Sequence, residues 1–202
     1  MGLKTIGKSC LALDATSESF FFELVRKAVE NQKIKVQPET EFYLVKLLNR
    51  FIFSESLYSK KSDGSLEDQP LVFLYKEALE AGDQPQTQKT LFQNVGDISL
   101  YKAGFFQESL NRSKLDVDYY IGLGGSAYQN AARRSDEKHS RNLFSELSDK
   151  FGKFVDILTQ VSEETATPRT EQDLFKLYEM WERTGSERAA RMLKKAGIKV
   201  SQ

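Results

Sequence analysis

At 202 residues, with 40% hydrophobic side chains, 14 Phe and 8 Tyr, the chain can bury its own core and is too aromatic for a disordered segment. Lys plus Arg equals Asp plus Glu at 29 each, which excludes an overall field drawing the protein onto nucleic acid or an anionic membrane. The lone cysteine, Cys10, cannot form an intramolecular disulfide, so a reducing, cytoplasmic setting is expected.

Residues 1–15 are expected to form a weakly ordered N-terminal segment without the apolar core of a signal peptide, and residues 16–202 a single helical domain. No stretch approaches the ~18 uninterrupted apolar residues that would span a bilayer, so membrane insertion is not expected.

Phe21, Leu24, Val25, Ala28 and Val29 repeat at the spacing of a one-faced helix, with Thr16 or Ser17 as its cap. The same template fits Leu44, Leu47, Leu48, Phe51 and Ile52, and again Leu71, Leu74, Tyr75, Ala78 and Leu79. Pro38 and Pro70 stand near the starts, where a missing N–H costs little. Between these two helices, 54–69 is polar, contains Gly64 and lacks periodicity, and is expected to be an exposed mobile loop. A helix from about Asp83 and Pro85 should stop at Gly96, with Asp97 capping a further helix to Leu110.

Asp116 reads as the cap of a glycine-containing helix. The apolar series Phe144, Leu147, Phe151, Phe154, Val155, Leu158 and Val161 predicts one long helix crossed by Gly152. Thr170 with Asp173 resembles a capping box, followed by Leu174, Leu177, Tyr178 and Trp181; Gly185 ends that helix and Ser186 caps the last. No strand or hairpin pattern stands out. The expected fold is all-α, a bundle of about seven or eight helices. Phe21, Leu24, Leu48, Phe51, Leu74, Phe151, Phe154, Leu177 and Trp181 are its expected core.

Aromatics, charges and glycines are densest between Gly104 and Tyr128, the candidate functional region. On the helix capped by Asp116, Asp118, Gly122 and Gly125 share one face, and Tyr120, Gly124 and Tyr128 a neighbouring one. Three interior glycines cost about 2–3 kcal/mol in propensity relative to Ala, so a close helix contact or a ligand should compensate; Gly122 with Ser126 fits a small-xxx-small contact. The run GLGG is neither a dinucleotide fingerprint nor a P-loop. On the preceding segment Asp97, Tyr101, Phe105, Glu108 and Arg112 form one stripe, with Glu108 and Arg112 spaced as an ion pair.

His139 is the only histidine and has no partners at metal-ligand spacing, and Cys10 has no histidine near it. No catalytic residue, metal site or cofactor is therefore assigned. Arg183, Arg188, Arg191, Lys194, Lys195 and Lys199 face Glu187 alone, so residues 183–202 carry +5 and the remaining 23 basic and 28 acidic residues carry −5. This basic surface points to a local electrostatic contact. SERAARMLKKAGI, from Ser186 to Ile198, resembles the first helix and turn of a helix-turn-helix of the factor-for-inversion-stimulation type. Such a motif reads DNA with its second helix, and only five residues follow Gly197, so a DNA-binding accessory role through the basic C-terminal helix ranks third among the readings and nucleic acid is not an expected partner.

The strings GFFQESL, DVDYYIGLGGSAY, FVDIL and LYEMWERTGSERAARML together resemble a family of uncharacterised bacterial all-helical cytosolic proteins, from about Phe42 onward. The resemblance implies an all-α fold and carries no activity. The function expected is a non-enzymatic protein-interaction or regulatory module, with a protein partner or a second copy as its ligand. The alternative is a small-molecule-binding bundle, enzymes included, with a pocket lined by Phe105, Phe106, Tyr119, Tyr120 and Tyr128 and with Asp97, Glu108 and Arg112 as its polar groups. A cavity beside Gly122 and Gly125 would favour that alternative, and a packed surface the first reading.

Overall fold

A computed structural model describes residues 5–52, 59–60, 66–67, 70–82, 84–106 and 116–165, and short stretches between 174 and 198. Side chains are described from Ser17 onward. The protein is all-α, with seven helices among the described residues: α1 (Thr5–Gln32), α2 (Pro38–Ile52), α3 (Leu71–Glu80), α4 (Pro85–Phe105), α5 (Val117–Arg133), α6 (Lys138–Asp149) and α7 (Phe151–Thr165). The chain divides into two compact units, 1–159 and 160–202, each described by itself.

α1 begins at Thr5, well before the expected cap, because no glycine or proline interrupts the chain between Lys8 and Gln32. Ser17 is not a cap. It lies inside α1, and its hydroxyl donates to Asn49 Oδ1 on α2 at 2.7 Å. α1 ends in a Schellman motif, with Lys33 N–H donating to the Glu30 carbonyl at 3.1 Å and Ile34 N–H to that of Val29 at 3.2 Å. The motif puts Lys33 at φ 53, where a side chain is strained. Lys33→Gly should therefore stabilise the protein by about 1 kcal/mol, read as a higher urea midpoint at unchanged slope. A lower midpoint would mean that the Lys33 side chain makes a contact worth more than the strain.

Pro38 opens α2 at its first helical position and Pro70 precedes α3, as their ring geometry favours. Within the expected mobile loop, a two-residue antiparallel ladder pairs Ser59 with Glu67 and Lys60 with Leu66. Gly82, at φ 67, lies just past the end of α3. Gly96 and Asp97 do not end one helix and start another: α4 runs through both. The expected helix from Phe144 to Val161 is instead two, because the backbone leaves helical geometry at Lys150 (φ −111, ψ 20). Lys150 Nζ is held there by Glu146 Oε1 and the Lys35 carbonyl, each at 2.7 Å.

The core of the first unit is built largely from the predicted stripes. Phe21, Val25, Ala28, Leu44, Leu48, Phe51, Leu147, Phe151 and Phe154 are all buried, and Phe92 and Tyr128, which belong to none of those stripes, are buried with them. At about 1.5–3 kcal/mol for each large side chain removed from water, such stripes supply most of the drive to fold. Leu74 is only half-buried, because α3 packs inward through Leu71 and Ala78. In the second unit Trp181 is half-buried, its ring 5.5 Å from that of Tyr178. Leu177, Thr170, Asp173 and Ser186 lie outside the described residues. Gly197 there adopts φ 83 in another Schellman end, where Ile198 N–H donates to the Leu193 carbonyl at 2.8 Å.

Candidate functional site

The candidate region is organised around Asp97, which continuous helix α4 turns inward towards α2 and α5. Its Oδ1 accepts from the hydroxyls of Tyr43 (2.5 Å) and Tyr128 (2.7 Å), and its Oδ2 from Arg50 Nη2 at 2.9 Å. Gln93 Nε2 donates to the Tyr43 hydroxyl at 3.0 Å. Arg50 lies over the Phe51 ring at 4.3 Å. The Asp97 side chain is 2% exposed and that of Arg50 42%, so the pair is buried on one side only.

Burial pushes the Asp97 carboxyl up from its ordinary range, against the pull of Arg50 and the two phenols. Burial, then the Asp97 charge, holds the Tyr43 and Tyr128 phenols well above theirs, so both stay neutral donors. With three donors on it, this buried carboxylate braces α2, α4 and α5 against one another.

The glycines explain how α5 comes so close to that brace. A Cβ on Gly96 would stand 2.6 Å from the Tyr128 ring, so this residue is a packing contact and not a helix stop. On α5, a Cβ on Gly124 would meet Phe151 Cζ at 2.3 Å and Ser99 Cβ at 2.7 Å. Gly122 has nothing within 4 Å, Gly125 makes only ordinary contacts, and Ser126 is exposed. The expected close approach is therefore present, but at Gly124 and within the molecule, and not through Gly122 with Ser126. The face carrying Tyr120, Gly124 and Tyr128 is buried, while Asp118 and Gly122 are exposed.

Asp116 caps α5 as expected, accepting from Tyr119 N–H at 3.0 Å. The aromatics proposed to line one pocket are dispersed. Tyr101 stacks on Phe105 at 4.7 Å and meets Phe106 edge-on and Phe51 at 4.9 Å. Tyr119 and Tyr120 pack on each other at the start of α5, and Tyr128 lies with Asp97. Glu108, Arg112, Arg183, Arg188, Arg191, Lys195 and Lys199 lie outside the described residues, and Lys194 is exposed. His139 is exposed, and among the described residues no group of His, Cys, Asp and Glu side chains is arranged to hold a metal.

Two features escaped the sequence. Glu146, buried on α6, accepts from Thr40 Oγ1 at 2.5 Å and Gln37 N–H at 3.2 Å, so it caps α2 from another helix. Burial alone would raise its carboxyl, but Lys150, Thr40 and Gln37 outweigh that and lower it. No local pattern could announce a partner 106 residues away.

The second feature is α3. Its inner side is fixed by Leu71, Ala78, the Tyr75–Phe92 edge contact at 5.2 Å and the Asn130 bond to the Tyr75 hydroxyl at 3.1 Å. Its outer side leaves Val72, Phe73 and Leu79 exposed at 51%, 57% and 53%. Leu79, assigned to the core stripe, therefore faces out. An open groove lies beside this face, with Phe73 and Leu91 as apolar walls and Lys76, Glu77, Glu80 and Thr87 at the rim. LVFLYKEALE carries apolar residues on more than one side of the helix, and their spacing does not say which of them are covered.

Among the described residues no helix is long and apolar enough to cross a membrane. In comparison with known proteins, the chain matches no family, no curated protein and no solved structure.

Proposed function

We propose that this chain is a non-enzymatic, cytosolic interaction or regulatory module that engages a protein partner through a helix face. The observation that carries the reading is the outer side of α3, where three large apolar side chains more than half exposed sit on a helix pinned from behind. Exposed apolar clusters beside a polar rim are what protein-binding surfaces present. The residues around Asp97 support the same reading, because their polar groups are spent on one another and the tight glycine is filled by Phe151. The single Cys10 supports a reducing compartment.

Immobilised wild-type protein and the Val72→Glu/Phe73→Glu variant should be compared for retention of cytosolic proteins at matched thermal stability. A partner held by the wild type should be lost on the variant, since both side chains already face solvent and the fold does not need them. Identical retained sets would remove α3 from the reading.

A further inference from the structure

We propose that Lys150 is the hinge of a two-state element, in which a clasp made by Glu146, Lys150 and the Lys35 carbonyl holds α6 and α7 apart and its release lets them join as one helix. The chain at the break carries no helix breaker. Lysine is a good helix former, neither helix contains a proline, and the nearby Gly152 is itself helical in α7. Leu147, Phe151, Phe154, Val155 and Leu158 keep the i, i+4, i+7, i+8 and i+11 spacing of a single helix across the break. The break is one residue wide. Lys150 N–H still donates to the Glu146 carbonyl at 3.0 Å, and Phe154 N–H to that of Lys150 at 3.1 Å. Turning the Lys150 backbone from φ −111, ψ 20 to helical values of about −63 and −42 would bring α7 into line with α6.

What opposes that turn is tertiary. The half-buried Lys150 ammonium donates to Glu146 Oε1 and to the Lys35 carbonyl, each at 2.7 Å. The other oxygen of Glu146 is taken by Thr40 and Gln37. An i, i+4 pair between Glu146 and Lys150 suits a continuous helix equally well, so the bond to Lys35, in the link between α1 and α2, is the one a joined helix gives up. Turning at Lys150 also moves Phe151, whose ring fills the space at Gly124 and lies 5.8 Å from that of Tyr128. The joined form therefore uncovers the side of α5 that carries Gly124 and Tyr128, and this apolar exposure keeps it the minor state.

The test is the distance between nitroxide labels on the full chain, placed at the exposed positions His139→Cys on α6 and Asp156→Cys on α7, with Cys10→Ser to remove the native thiol. Seventeen residues of continuous helix separate two such positions by about 25 Å, and a bent pair of helices by less. The otherwise unaltered protein should show a main distance below that value. Lys150→Met, which opens the clasp and keeps a good helix former, should raise the population near 25 Å about tenfold or more. Gly152→Ala should raise it by up to about fivefold, because residue 152 lies in the first turn of α7 but would be interior to a joined helix, and its Cβ meets open space. Circular dichroism melting shows which variants fold, and Gly152→Ala decides alone if Lys150→Met does not. One short distance unchanged in the folded variants would overturn the hinge, and so would a main distance near 25 Å before any change is made.

Discussion

Gly124→Ala should destabilise the protein by about 1–3 kcal/mol, and Gly124→Leu by at least as much, while Gly122→Ala two residues away should stabilise it by up to about 1 kcal/mol. Both are interior positions of α5, so helix propensity favours alanine at each. At Gly122 nothing opposes that gain, because its Cβ would stand in open space. At Gly124 the new methyl would enter at 2.3 Å from the tip of a buried Phe151 ring and 2.7 Å from Ser99 Cβ. The ring end can swing only into a filled core, and Ser99 Cβ moves only with the α4 backbone, so the two helices must separate. Urea denaturation of the two alanine variants decides the matter by sign. Equal shifts in the same direction would mean that α4, α5 and α7 do not meet as described.

Asp97→Ala should cost about 2–4 kcal/mol, somewhat below the usual loss for breaking a buried pair because Arg50 can turn to solvent. The two phenols cannot turn so readily: Tyr128 is fully buried and Tyr43 half-buried, and both lose their acceptor. Asp97→Asn retains one oxygen for them and should cost less. It also removes a titration. Because the folded carboxyl is raised, its contribution to stability is greatest below the unfolded carboxylate range and declines as pH rises through the folded value. The stability gap between wild type and Asp97→Asn should therefore widen as pH is lowered from 7 towards about 4. Glu146 works in the opposite direction, since its lowered carboxyl loses stability as pH falls through its folded value, but it is common to both proteins and cancels in the difference. A gap that narrows in acid would show that Asp97 is not held in the raised state.

Much of the first unit was legible because amphipathic periodicity is a local property. Phe21, Leu24, Leu48, Phe51, Phe151 and Phe154 are buried where the 3.6-residue repeat placed them, and Asp116 caps the helix it was expected to cap. The errors cluster where a residue has two local meanings. Gly96 followed by Asp97 is a plausible stop and cap, and nothing nearby in the chain says that a tyrosine ring 32 residues on needs the space of the missing Cβ. Leu79 fits a core stripe as well as Ala78 does, yet Ala78 is buried and Leu79 is 53% exposed, a difference set by which side of α3 packs inward.

The sequence by itself determined that this protein is helical, which faces of α1, α2, α5 and α7 are apolar, and that some glycine in α5 must be approached closely. Those properties follow from composition and from spacing over a few turns. Only the tertiary structure decided that the close approach is at Gly124, that Asp97 braces three helices, that Glu146 caps a helix from afar and that Val72, Phe73 and Leu79 of α3 are exposed. Each of those depends on which surfaces meet, and a pair such as Thr40 and Glu146, 106 positions apart, gains its hydrogen bond only when the loop between them has closed.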